Sequence, residues 1–295
     1  MRIFVTGATG FIGSAVVQEL LKAGYQVLGL ARSDEGARTL AATGAEVQRG
    51  DLTDLESLRS GAAQSDGVIH TAFIHDFSKF QENCAIDKSA IETLGTALAG
   101  SNRPLIVSGG LGLIAPGRVA TEDAALPANP HMPRVSEQAA ETFVARGVRV
   151  ASIRLPQVHN PLKQGLISYA VAIAREKGVS AYIGDGSNRW PAVHLLDAAP
   201  VYKLALEKAP AGARYHAVAE EGVRMRDIAE AIGRGLKVPV VSKSPEEAGA
   251  HFGWLGLFAG MDMPASSALT QERLGWKATH TDMLSDLAAM NYFPA

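Results

Sequence analysis

Apolar residues fall along this chain in two alternating rhythms. Short runs rich in β-branched residues read as strands of a parallel sheet, and the longer stretches between them carry the spacing of amphipathic helices. The first strand is expected over 2–6 and the first helix over 11–23, closed by Gly24. A second strand over 26–31 leads to a helix near 34–43, which Gly44 ends. Strands three to five read as 46–49, 67–71 and 104–108, with helices over 54–63 and within 79–100 between them. A helix at about 135–146, stopped by Gly147, precedes a sixth strand over 148–154. The pattern predicts an α/β fold, a doubly wound parallel sheet with helices on both faces. In such sheets ligands lie beyond the carboxyl ends of the strands, where the strand order reverses.

After Arg154 the rhythm loosens. Segments 156–193 and roughly 219–275 mix short helices with Gly/Pro turns, while 193–207 and 215–218 read as returns to the core sheet. The expected division is a first domain over 1–155 and a smaller lobe over 156–295, with 193–218 returning to the main sheet.

Composition then narrows the field. Of 295 residues, 47% are apolar and 20% charged, which is ordinary for a soluble globular protein. A formal charge of -2 offers no basic surface for nucleic acid. No uninterrupted apolar stretch reaches the length of about 18 residues that a membrane span needs. One cysteine, Cys84, excludes an internal disulfide and fits a reducing compartment. The eight histidines form no metal-ligand motif, so no catalytic metal is expected. Three glycines interrupt the apolar start, where Arg2 is the only basic flank, so it does not read as a secretory leader. A cytoplasmic location is expected.

The first chemical signal is Thr6-Gly7-Ala8-Thr9-Gly10-Phe11-Ile12-Gly13, placed between a strand and a helix. Bound pyrophosphate there needs a tight turn, a backbone approach too close for a side chain, and free N–H groups at a helix start. Gly7, Gly10 and Gly13 supply these in turn, with Thr9, Phe11 and Ile12 in the same loop. The spacing G-x-x-G-x-x-G resembles that of the extended short-chain dehydrogenase/reductase family, a group of NAD(P)-dependent epimerase/dehydratase-like proteins with a Rossmann-type first domain and a C-terminal substrate lobe. Two further segments resemble the family in order. Gly50-Asp51-Leu52 stands where the family sets an Asp against the adenine ring; Asp51 alternatively caps the next helix. Val68-Ile69-His70-Thr71-Ala72 resembles a strand that lies along the cofactor, which puts Thr71, Ala72 and Phe73 beside it.

At the end of strand two, NAD enzymes keep an acid for the ribose 2′-hydroxyl. Ala31, Arg32 and Ser33 stand there instead. A guanidinium and a hydroxyl suit a 2′-phosphate, so NADP(H) is expected, against the alternative of an Arg32 merely solvated in a loop.

The resemblance continues through 154–161, 184–197 and 273–276, but departs at the active centre. Such enzymes use a Tyr for proton transfer, a Lys four residues later, and a Ser or Thr after strand five. Ser108 matches the last of these. Aligned on Ser136 and Glu141, the tyrosine position holds Pro133 and the lysine position Glu137. The resemblance is therefore to the atypical branch that lacks Tyr-x-x-x-Lys. Glu137 reads as a carboxylate that cannot do the lysine's work, so its loss is expected to be mild. Ser108, His131 and His159 are the candidate proton donors, with structural roles as their alternatives; Arg134 could supply a positive charge. His75, Trp190 and Trp254 are expected to line the substrate surface, although the run 251–258 also reads as the apolar face of a small-lobe helix.

The expected function is an NADPH-dependent oxidoreductase of carbonyl-reductase type. Its substrate would be a small, rather apolar molecule, without nucleic-acid or membrane partners, and a homodimer is admitted. A catalytically silent NADP(H)-binding regulator or redox sensor is the alternative, and an epimerase or dehydratase a further one.

Overall fold

The computed structural model describes residues 1–112, 114–115, 117–126 and 133–292. The first half alternates as expected. β1 (Arg2–Thr6), α1 (Phe11–Lys22), β2 (Gln26–Ala31), α2 (Asp34–Ala41) and β3 (Glu46–Arg49) form one wing. α3 (Leu55–Ala63) crosses back to β4 (Gly67–His70), followed by α4 (Phe80–Leu98), β5 (Pro104–Gly110), α5 (Ser136–Glu141) and β6 (Arg149–Leu155).

Residues 157–292 add β7 (Gln157–His159), α6 (Ile167–Lys177), β8 (Ser180–Ile183), β9 (Arg189–His194) and α7 (Leu195–Lys208). β10 (Ala213–His216), β11 (Glu220–Arg224), α8 (Met225–Leu236) and β12 (Val240–Lys243) follow. The chain then closes through α9 (Ala248–Phe252), α10 (Gly256–Ala259), α11 (Ala268–Leu274) and α12 (Met283–Ala289).

Among the described residues, seven strands form a parallel sheet in the order β10-β6-β5-β4-β1-β2-β3. The order reverses between β1 and β4, so the two strand ends that flank the glycine loop open onto one crevice. Local sequence explains the helices on either side. α1 buries Gly13, Val16, Val17 and Leu20, one stripe at helical spacing, and Gly24 beyond its end takes φ +84°.

Two expectations needed correction. The helix expected over 135–146 ends at Glu141, and a tighter turn follows at Val144–Arg146. The tightening sets the Phe143 ring against Gly95, where an added Cβ would lie 2.5 Å from the ring. Nor does the whole of 193–207 rejoin the sheet. Only β10 does so, beside β6; α7 instead packs on the sheet through Val201, Tyr202, Ala205 and Leu206.

β11, β9 and β7 form a separate three-stranded sheet, and β12 pairs with β8. Ile167, Trp190, Ile228, Met283 and Leu287 are fully buried in the apolar cluster around these strands. No helix among the described residues is long and apolar enough to cross a membrane.

Candidate cofactor and substrate site

The glycine loop lies at the strand-order reversal, and the space around each glycine gives its role. Gly7 has φ +70°, and a Cβ there would come within 2.7 Å of the Ala72 backbone nitrogen. At Gly13 a Cβ would fall 2.0 Å from the Gly7 carbonyl oxygen, so this position sets how closely α1 approaches β1. Gly10 starts α1 without any side-chain cap, and its nearest obstruction is Gly7 O at 3.1 Å. No side chain caps the first-turn N–H groups of α1, which leaves them for an acceptor such as a pyrophosphate. Thr71 fixes the loop from β4, its Oγ1 donating to the Thr6 carbonyl at 2.8 Å. These residues fit a dinucleotide.

The ends of β2 and β3 meet beside this loop. Arg32 is exposed, and Ser33 caps α2 by accepting from the Gly36 N–H at 3.1 Å. Capping uses a hydroxyl lone pair and leaves the Ser33 proton for another acceptor. Arg49, which sequence reasoning passed over, reaches across from β3 to the Ser33 carbonyl at 2.5 Å and pairs with Asp34 at 2.9 Å. Two guanidiniums thus stand at this corner. Asp51 does not cap α3, because Asp54 does. Its carboxylate gathers the Thr53 N–H and hydroxyl, both at 2.7 Å, and these bonds hold it below the usual carboxylate range. Leu52 is buried beside it.

Behind β4 lies a buried polar chain. Thr6 Oγ1 meets His70 Nδ1 at 2.7 Å, His70 Nε2 meets Asp87 Oδ1 at 3.1 Å, and Ser136 donates to Asp87 Oδ2 at 2.5 Å. Burial pushes the Asp87 carboxyl up, but His70, Arg134 and Ser136 outweigh it and hold it low. Cys84 is buried close by, and desolvation pushes its thiol up to about 11, so it stays protonated. The sequence pattern pointed to His70 only as part of a strand.

Ser108 is 6% exposed, and its hydroxyl is engaged on two sides. It donates to the His70 carbonyl at 3.0 Å and meets the Tyr202 hydroxyl at 2.8 Å. A single hydroxyl has one proton, so with that proton on His70 the oxygen is left to accept from Tyr202. Burial raises the Tyr202 pKa and keeps its phenol neutral. Toward the strand tip, Gly110 opens onto free space.

Glu137 corrects the expectation of a dispensable carboxylate. It is 4% exposed and holds the fully buried Arg154 through two bonds, at 2.8 and 2.7 Å. Arg214 adds a third contact at 2.8 Å. Pro133, at the expected tyrosine position, precedes α5.

His131 lies outside the described residues. His159 is fully buried, its Nδ1 bonded to Asp286 Oδ2 at 2.7 Å, in a cluster with His194 and Glu220. Trp190, expected on the substrate surface, is also fully buried; it donates to the Met261 carbonyl at 3.2 Å and fills the apolar cluster with Ile167, Ile228 and Met283. Its alternation within β9 puts it on the face that packs against α6 and α8.

Trp254 and His75 are placed differently. The segment after β4 projects Phe73, His75 and Phe77 toward the lobe, and Phe77 stacks on Trp254 with centroids 4.1 Å apart and planes at 9°. Tyr169 and Phe258 close on Phe77 edge-first, while His75 packs edge-on to both Phe73 and Phe77. The run 251–258 thus divides its residues: Phe252 and Leu255 enter the core, and Trp254 and Phe258 form the clasp. Two cations lie against rings at the same crevice. Arg134 covers Phe73 at 4.3 Å, and Lys163 lies 5.3 Å over Phe11.

This glycine cradle at the reversal of a seven-stranded parallel sheet defines a dinucleotide-binding protein. The sequence profile of the NAD dependent epimerase/dehydratase family matches residues 3–93. An uncharacterized protein of Schizosaccharomyces pombe is 50% identical over 99% of this chain and 100% of its own length. A second, from Saccharomyces cerevisiae, is 43% identical over 99% of each. The solved structure of MoeE5 in complex with UDP-glucuronic acid and NAD is 22% identical, with a TM-score of 0.76 over 99% of this chain and 98% of that one, a likeness of fold. The chain belongs to the NAD dependent epimerase/dehydratase family, whose enzymes work with a nicotinamide dinucleotide.

Proposed function

We propose that this protein is an NADPH-dependent reductase of small, rather apolar carbonyl compounds. The observation that carries the reading is the surface beside the carboxyl end of β4, where Phe73, Phe77, Tyr169, Trp254 and Phe258 supply rings. A ring-lined site excludes water and offers few partners to the hydroxyls of a sugar, which favours an apolar carbonyl over an epimerase substrate. The choice of NADPH rests on Arg32, Ser33 and Arg49 at the corner of β2 and β3.

The reduced nicotinamide would supply the hydride. Gly7, Gly10 and Gly13 hold the pyrophosphate, and Thr71, Ala72 and Phe73 border the nicotinamide end, with His75 and Trp254 toward substrate. Cys84 as the only cysteine agrees with a cytoplasmic location.

A silent NADP(H) sensor is the second reading, favoured by the engagement of the Ser108 hydroxyl within the protein. A panel of aldehydes and ketones, followed by loss of NADPH absorbance, separates the two. Turnover of at least one carbonyl supports the reductase. Tight NADPH binding without turnover of any supports the sensor.

A further inference from the structure

The site needs something to hold the reacting oxygen, and the expected positions among the described residues are engaged elsewhere. Ser108 donates its proton to the His70 carbonyl, Glu137 is committed to Arg154, and His159 is bonded to Asp286 within the core. Arg134, the residue after Pro133, is arranged otherwise. Its Nη2 donates to the Ser108 carbonyl at 3.2 Å, its Nε donates to Ser136 Oγ at 3.1 Å, and its plane covers the Phe73 ring at 4.3 Å. Those contacts fix a half-buried guanidinium beside the carboxyl ends of β4 and β5. Among the described residues no carboxylate forms an ion pair with it; Asp87, whose carboxyl its charge helps to hold low, is already bonded to His70 and Ser136. A half-buried, stacked guanidinium with three N–H donors left over from these bonds, and no ion-paired carboxylate among the described residues, is a site for an oxyanion.

We infer that Arg134 takes over the tyrosine's electrostatic task, holding the substrate carbonyl oxygen and stabilising the alkoxide that forms on it. The inference rests on the reductase reading. As the carbonyl carbon gains the hydride, a C–H bond forms at the substrate and the C4–H bond of the reduced nicotinamide breaks. The π pair of the C=O bond moves to oxygen, where it meets the guanidinium. Water then protonates the alkoxide, and bulk solvent neutralises the hydroxide released. The proton comes from water and not from the guanidinium. Its contribution is charge and geometry, the logic of an oxyanion hole. The stack on Phe73 and the bond to the Ser108 carbonyl are what hold the planar fork in place.

The test uses the full chain with benzaldehyde as substrate and benzoate as a probe that presents an anion where the alkoxide would stand. Benzoate should bind the NADP⁺-saturated parent, and Arg134→Met should weaken it by about 10- to 100-fold, the scale of one hydrogen bond to a charged group. Hydride transfer to benzaldehyde should fall by about 10²- to 10³-fold in the same variant, the loss seen when one oxyanion donor is removed. NADPH affinity and thermal midpoint, unchanged, certify that Arg134→Met is folded. Arg134→Lys keeps the charge without the fork and should recover part of both losses. Parent turnover that survives in Arg134→Met, or that is lost instead in His75→Ala, overturns the Arg134 assignment and leaves the reductase standing. Arg134-dependent binding of benzoate by a parent that reduces no carbonyl supports the anion site and overturns the reductase reading.

Discussion

Replacing Glu137 by alanine should cost far more than the sequence suggests, and the ion pair with Arg154 supplies the magnitude. Arg154 is fully buried and Glu137 4% exposed, so neither charge has water to fall back on. The carboxylate accepts from Arg154 Nε at 2.8 Å and Nη2 at 2.7 Å, and from Arg214 Nε at 2.8 Å. Once it is gone, Arg154 keeps, among the described residues, the Glu122 carbonyl and His216 Nε2, both at 3.3 Å and both neutral. Arg214 is less affected, because it retains Glu141. Removing one partner of a buried pair costs about 3–5 kcal/mol, a large share of the roughly 5–15 kcal/mol that holds a typical domain together. Urea denaturation of the cofactor-free protein, followed by circular dichroism, measures the difference. The double variant Glu137→Ala/Arg154→Met carries no stranded guanidinium and should be less destabilised than Glu137→Ala alone. A loss below about 1 kcal/mol in Glu137→Ala, the scale of a surface pair, would refute the argument.

Other expectations follow from the same geometry. His216 is fully buried, and desolvation, ahead of the Arg154 charge, brings its pKa down to about 4 from 6.5, against a bond to the Ser266 carbonyl. The unfolded chain then binds the proton first as pH falls, so stability is present above about 6.5 and is lost progressively toward 4, by up to about 3 kcal/mol. His216→Gln should flatten that part of the stability–pH curve, and a parent curve without a slope there would remove His216 as its cause. At the cofactor, Arg32→Ala should weaken NADPH by roughly 1.5–3 kcal/mol and barely alter NADH. Calorimetric titration decides this, and equal parental affinities for the two cofactors would sink the 2′-phosphate assignment. Gly13→Ala should impair NADPH binding more than Gly10→Ala, since the added Cβ meets Gly7 O at 2.0 Å in the first case and 3.1 Å in the second. The reverse order would mean that the loop is not held by the approach of α1 to β1.

What the sequence determined by itself is what depends on neighbours along the chain. The strand and helix rhythms placed all six strands of the first half, because burial on a sheet or a helix face repeats at a fixed spacing. Glycines past helix ends marked where the chain must take positive φ, as at Gly24, Gly44 and Gly147. The G-x-x-G-x-x-G loop was legible for the same reason: turn, close approach and helix start all fall within eight residues. Side-chain partners were not legible, because they are chosen across the fold. Ser108 meets a tyrosine 94 positions away, and His159 an aspartate 127 positions away. Glu137 had a residue type and a spacing that spoke only of a missing lysine. The packing of β6 beside α5 gave it Arg154 and turned an apparent vacancy into a buried ion pair. Trp190 and Trp254 are equally aromatic on paper. Alternation along β9 sends one into the core, and a short helix brings the other onto Phe77. Burial removes water as a competing partner, so only the tertiary structure decides which polar groups remain free for chemistry.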